Sequence, residues 1–155
     1  MASPIEQSWV HATVLIETGA GSRGTGFLVG RSVGADQWRI FLVTNKHVLD
    51  QDPARRAAMS SVRIHLNVSR NDVLHAQTID YPLADASGSW VREHPTSEID
   101  VLAIAAVPLF NNLKDIANKF VPETMFALAE KRKELDITAG EEVVVLLRDR
   151  AGFSL

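Results

Sequence analysis

Apolar positions follow a period of two over long stretches of the chain. In SVRIHLNV (61–68), Val62, Ile64, Leu66 and Val68 fall on one side and Arg63, His65 and Asn67 on the other, the alternation of a half-buried strand. Trp9 to Glu17 mixes β-branched and aromatic residues and predicts another strand, and the glycine-rich GAGSRGTG after it predicts a turn or loop. Phe27 to Val29 and Trp38 to Thr44 predict the next two strands, with GRSVGAD between them as the turn of an antiparallel hairpin. Val73 to Ile79 answers 61–68 across a turn at Ser69 to Asp72, and DVLAIAAV (100–107) predicts a strand buried on both faces. QDPARRAAMSS and YPLADASGSW read as exposed loops, the first with room for a short helical turn.

The pattern changes in the last third. PLFNNLKDIANKF and PETMFALAEKRKELD are richer in helix formers, and Met125, Leu128, Ala129 and Leu135 recur at helical spacing with EKRKELD as the solvated side. Gly140 then leads into EEVVVLL, again a strand pattern. Six or seven short strands separated by turn signals predict a mainly β fold, a small closed or nearly closed antiparallel barrel. At 155 residues, with no repeat or linker composition, the chain reads as a single domain over 1–155, long enough to bury about two-thirds of its unfolded surface.

Composition narrows the function classes. With 46% hydrophobic and 23% charged residues the chain has a globular balance, and a net charge of −3 leaves no basic surface for nucleic acid or an anionic membrane. The absence of cysteine removes disulfides, thiol catalysis and Cys-bound zinc, so nucleophilic chemistry falls to Ser or Thr. No signal-peptide pattern opens the chain, and the longest nearly apolar run, Val101 to Phe110, is short of the roughly twenty residues that span a bilayer. A cytoplasmic location is expected. No cofactor is expected.

Candidate chemistry sits in FLVTNKHVLD (41–50), where an apolar run enters a polar turn carrying His47. On these residues alone, a turn histidine at a strand end and a catalytic base stand level. Three segments then fall into an order. GTGFLV (24–29), LVTNKHV (42–48) and EIDVLAI (98–104), followed by AGEEVVVL (139–146), resemble the first half of a trypsin-like serine peptidase domain of the cysteine-free bacterial kind. The resemblance covers the chain from about Trp9 to Leu146 and implies the N-terminal antiparallel barrel of the chymotrypsin type. It assigns the general base to His47 and the orienting carboxylate to Asp100, 53 residues on. The implied activity is peptide-bond hydrolysis on a polypeptide substrate through an acyl-enzyme.

The chemistry asks for those residue types. A serine hydroxyl attacks only when a neighbouring imidazole takes its proton, and imidazole titrates near neutrality. A carboxylate on the other ring nitrogen fixes the tautomer and stabilises the imidazolium. Asp100, at the entry to an apolar strand, is expected to be desolvated and in need of a partner; its plain alternative is a solvated strand-start residue.

The pattern also departs from the family. The nucleophile belongs in a Gly-x-Ser-Gly context on a second barrel, yet Ser87 and Ser89 flank Gly88 without the second glycine, and Ser154 stands in the tail. LRDRAGFSL follows where a Gly-Tyr-Pro or Gly-Asn-Pro step is typical, so 147–155 is expected to be a truncated or frame-shifted tail. The sequence therefore predicts a half that is inactive alone and self-associates through an exposed inter-barrel face. The alternatives are a catalytically dead barrel serving as a binding module, or an unrelated small barrel. His65 and His75, on neighbouring strands, lack a third metal ligand and read as surface residues, while His11 reads as a polar-face position and His94 precedes Pro95 in a loop.

Overall fold

The computed structural model describes residues 11–35, 37–70, 73–106, 116–125, 148–149 and 152–153. The expected helical positions Leu128, Ala129 and Leu135 and the expected EEVVVLL strand lie outside those residues.

Two hairpins and a linking strand make the framework. β1 (Thr13–Glu17) pairs with β2 (Arg23–Gly34), which pairs in turn with β3 (Gln37–Thr44). β4 (Ser61–Arg70) and β5 (Val73–Pro82) form the long hairpin that the alternation in 61–68 predicts, and β4 also joins β1. After a two-residue pair, β6 (Ala84–Asp85) and β7 (Gly88–Ser89), β8 (Val91–Glu93) and β9 (Leu102–Ala105) add to the free side of β3. The main sheet runs β5-β4-β1-β2-β3-β9-β8, with β10 (Val121–Pro122) parallel to β2.

The sheet is curled. Ile64 and Leu66 from β4 and Leu102 and Ile104 from β9 lie in one buried cluster with Val14, Ile16, Leu28 and Leu42, although several strands separate β4 from β9 in the ladder. A flat sheet cannot bring them together. The fold is thus mainly β, an antiparallel half-barrel, and β5 and β8 remain the ends of its ladder. Single bonds span the gap between those ends. Trp90 N–H donates to Leu83 at 2.8 Å and the Tyr81 hydroxyl to the Ala105 carbonyl at 2.6 Å. Burial pushes the Tyr81 phenol up to about 12, because the phenolate would lose water without gaining a cation.

Several expectations change, among them the turn at GRSVGAD, since β2 runs on to Gly34. GAGSRGTG is only partly a turn: Arg23 to Gly26 already belong to β2. Gly26 lies there because a Cβ would come within 2.7 Å of Leu42 Cδ1 and 2.8 Å of Ile16 Cδ1, and Gly24 and Gly30 are likewise overlain by Val48 and Phe120. The first strand begins at Thr13 rather than Trp9, with His11 and Ala12 in a helical turn. The strand expected from Asp100 begins at Leu102, and burial alternates along it, with Ala103 and Ala105 only half-buried. Residues 117–120 are not helical. Buried Asn118 accepts from Asn67 N–H at 2.6 Å and donates to the His11 carbonyl at 2.8 Å, which lays the segment across β1 and β4. No described helix is long and apolar enough to cross a membrane.

Candidate active site

β3 ends at Thr44, whose hydroxyl donates to the Thr25 carbonyl of β2 at 3.0 Å. The chain then makes one helical turn, α1 (Lys46–Leu49), which buries Val48 and Leu49 in the core and turns His47 outward. Asn45 stands at the N-cap but does not cap. Its Nδ2 donates instead to the Asp100 carbonyl at 2.7 Å.

His47 and Asp100 meet at this point. The His47 amide donates to Asp100 Oδ1 at 3.1 Å, and His47 Nδ1 is hydrogen-bonded to Oδ2. The carboxylate therefore grips both backbone and ring, which fixes the imidazole plane and favours the tautomer with the proton on Nδ1. Nε2 has no hydrogen-bond partner among the described residues. The hydrogen bond from the His47 side chain holds the Asp100 carboxyl below the usual carboxylate range, since accepting N–H groups favours the charged form. The desolvated Asp100 expected from sequence is not what forms: its side chain is 44% exposed, because it precedes β9 instead of lying in it.

An open cleft of about 630 Å³ lies beside the pair, with Lys46, Arg56, Glu93 and Ser97 among its lining residues. Arg56 comes from α2 (Pro53–Ala57), a short helix capped by Asp52, whose side chain accepts from Ala54 N–H. The segment expected to be wholly exposed thus contains a buried guanidinium, 8% accessible. Arg56 makes a bidentate pair with Glu93 at 2.8 and 3.0 Å and donates to the carbonyls of Asp50 and Gln51, so every face of the buried charge is met. The pairing holds the Glu93 carboxyl below its usual range.

Lys46 is the other buried cation of this cleft, at 7% accessible. Its ammonium donates to the carbonyls of His94, Thr96 and Ser97. Nothing in NKH signals this burial, because a lysine in a polar turn ordinarily faces water. Ser97 is the one hydroxyl among the residues lining the cleft, and it makes no hydrogen bond to His47.

The remaining histidines do other work. His65 Nε2 lies 3.0 Å from Glu17 Oε2 and Nδ1 3.0 Å from Thr78 Oγ1. His65 is opposite Thr78 in the register and His75 opposite Val68, so the two histidines do not face each other. His94 Nδ1 accepts from Thr96 N–H at 3.1 Å. No group of three or more metal-ligating side chains occurs among the described residues. The two buried cations, Lys46 and Arg56, are the site residues sequence reasoning missed.

Chemically, the cleft offers an oriented imidazole with one open nitrogen and a carboxylate behind it, which suits proton abstraction from an incoming hydroxyl or water. Comparison with family models, with curated proteins and with solved structures returns no match.

Proposed function

We propose that this chain carries the base-bearing half of a trypsin-like serine peptidase, with His47 as general base and Asp100 as the carboxylate that orients it. The observation that supports this most is the hydrogen-bonded His47–Asp100 pair with Nε2 left open beside a cleft. That is the arrangement a serine nucleophile needs from its partners. The order GTGFLV, LVTNKHV, EIDVLAI agrees with it. The substrate class is polypeptide, and hydrolysis proceeds through an acyl-enzyme once a nucleophile is present.

No serine in a Gly-x-Ser-Gly context occurs in the 155 residues, so the attacking hydroxyl comes from other polypeptide. Loss of the serine alone lowers kcat by about 10⁶ in a serine peptidase, so these residues by themselves are expected to be inactive. Ile99 and Val101, on either side of Asp100, are exposed, as is Phe27. We take this apolar border as the face that meets the complementary half, and as a route to self-association in its absence.

The coding DNA after codon 155, read in three frames, tests the reading. A Gly-x-Ser-Gly segment there supports it, and the joined chain should then react with a fluorophosphonate probe while its His47→Ala variant does not. Labelling of the 155-residue chain itself would show that the nucleophile has been misassigned. The missing Gly-x-Ser-Gly also favours a second reading, a catalytically silent half-barrel used as a binding module. Under that reading His47→Ala leaves binding intact.

A further inference from the structure

Three consecutive residues reach from one loop to another. Asn45 Nδ2 donates to the Asp100 carbonyl at 2.7 Å, the His47 amide and ring engage the Asp100 carboxylate, and between them Lys46 Nζ donates to His94 O at 3.2 Å, Thr96 O at 3.3 Å and Ser97 O at 3.4 Å. Every tie ends on residues 94–100, the turn between β8 and β9.

That turn has little to hold it otherwise. Its main-chain bonds are His94 N–H to Val101, Ile99 N–H to Thr96 and Val101 N–H to Ile99, and residues 95–99 are all exposed. An ammonium has three donors and no acceptor, and here each donor meets one carbonyl of the turn. Burying a charge is costly unless its donors are met, and here main-chain carbonyls meet all three. What a lysine adds is geometric, since it draws three separate carbonyls to one point. Glu93 and Glu98 face the same ammonium through space, and no carboxylate is hydrogen-bonded to it among the described residues.

We propose that Asn45 and Lys46 are positioning residues that hold the 94–100 turn so that Asp100 meets His47 before any substrate arrives. Asn45 fixes the main chain of Asp100, and Lys46 fixes the turn leading to it. Both forgo their ordinary roles to do so, the N-cap for Asn45 and solvent for Lys46. The catalytic value of the result rests on the peptidase reading. The clamp itself does not.

The test reads the pair without substrate, by NMR on the 155-residue chain. In the unaltered chain the His47 amide, accepted by Asp100 Oδ1, should be protected from hydrogen exchange, and the Nδ1 proton should resonate far downfield. In Lys46→Met, which keeps the stem and removes the ammonium, His47 exchange should rise about tenfold, equivalent to about 1.4 kcal/mol of pairing, and the Nδ1 signal should broaden. Asn45→Ala should do the same, while β4 amides keep their protection in both variants. Unchanged His47 exchange in both variants overturns the proposal, whatever the peptidase outcome. Equal loss at His47 and in β4 makes the residue a general determinant of folding and overturns its positioning role.

Discussion

Among the described residues, two imidazole–carboxylate pairs occur, and they are built differently. At His47 and Asp100 both side chains are about half exposed and one ring nitrogen is left open. At His65 and Glu17 both are largely buried, and the ring is used up, with Glu17 on one nitrogen and Thr78 on the other. Arg23 and Arg63 close on the same Glu17 carboxylate. The second pair joins β1, β4 and β5 and has no nitrogen left for chemistry. An imidazole beside a carboxylate is therefore not in itself a catalytic signal; what separates the two is the unoccupied Nε2 at a cleft.

The largest expected contrast is in turnover. In a chain supplied with its nucleophile, Asp100→Asn should lower kcat by about 10⁴, the effect of presenting the wrong tautomer to the serine. Glu17→Gln, measured in the same peptide-hydrolysis assay, should leave kcat within about twofold of the parent, since no group at that pair touches the reacting atoms. A large kcat loss in Glu17→Gln would erase the distinction.

Stability should run the other way. His65→Leu removes two hydrogen bonds from a half-buried site and should cost about 1–2 kcal/mol in urea unfolding. His47→Ala, whose pair is open to water, should cost less than about 1 kcal/mol. A larger loss at His47 than at His65 would reverse the roles assigned here.

Acid titration separates the pairs more finely. The hydrogen bond from His65, reinforced by Arg23, holds the Glu17 carboxyl below its ordinary value of 4.5, and His47 holds Asp100 below 3.8. A lowered carboxylate stabilises the fold fully above its unfolded value, and that stabilisation fades as pH falls through the folded value. The melting temperature should therefore drop on acidification from about pH 4.5 downward, with a shallower slope in Glu17→Gln than in Asp100→Asn.

The smallest effect is a control at a group that belongs to neither pair. Tyr81 is the only tyrosine in the chain, and its phenol is raised to about 12. Because the folded state keeps that proton longer, stability should fall as pH rises above the ordinary value near 10. Phenolate absorbance should stay absent at pH 10 and emerge together with unfolding. An ordinary titration in the folded protein would show that the closure through Ala105 is open.

The sequence made some of this legible for clear reasons. Val62, Ile64, Leu66 and Val68 declared β4 because one face of the strand is core and the other is wet. His47 and Asp100 could be linked because a recognised order of segments pointed to them, not because spacing alone specifies contact. Glycines misled, since Gly24, Gly26 and Gly30 mark places where Val48, Leu42 and Phe120 press on the backbone, and a close approach leaves the same letter as a turn. Lys46 and Arg56 were illegible as buried cations because their partners are carbonyls and a carboxylate brought close by the fold. Asn118 was hidden for the same reason, its partners being Thr13 in β1, Asn67 in β4 and His11.

The clamp from Asn45 to Asp100 also has a place in time. β2–β3 and β4–β5 are local hairpins that close over short loops, whereas His47 and Asp100 are 53 residues apart and the segment carrying Asp100 leads into β9, which pairs with β3. Loop closure on that scale costs entropy that later contacts must repay. His47 and Asp100 are thus expected to meet late as the chain folds, their hydrogen bond forming once the sheet around them is in place.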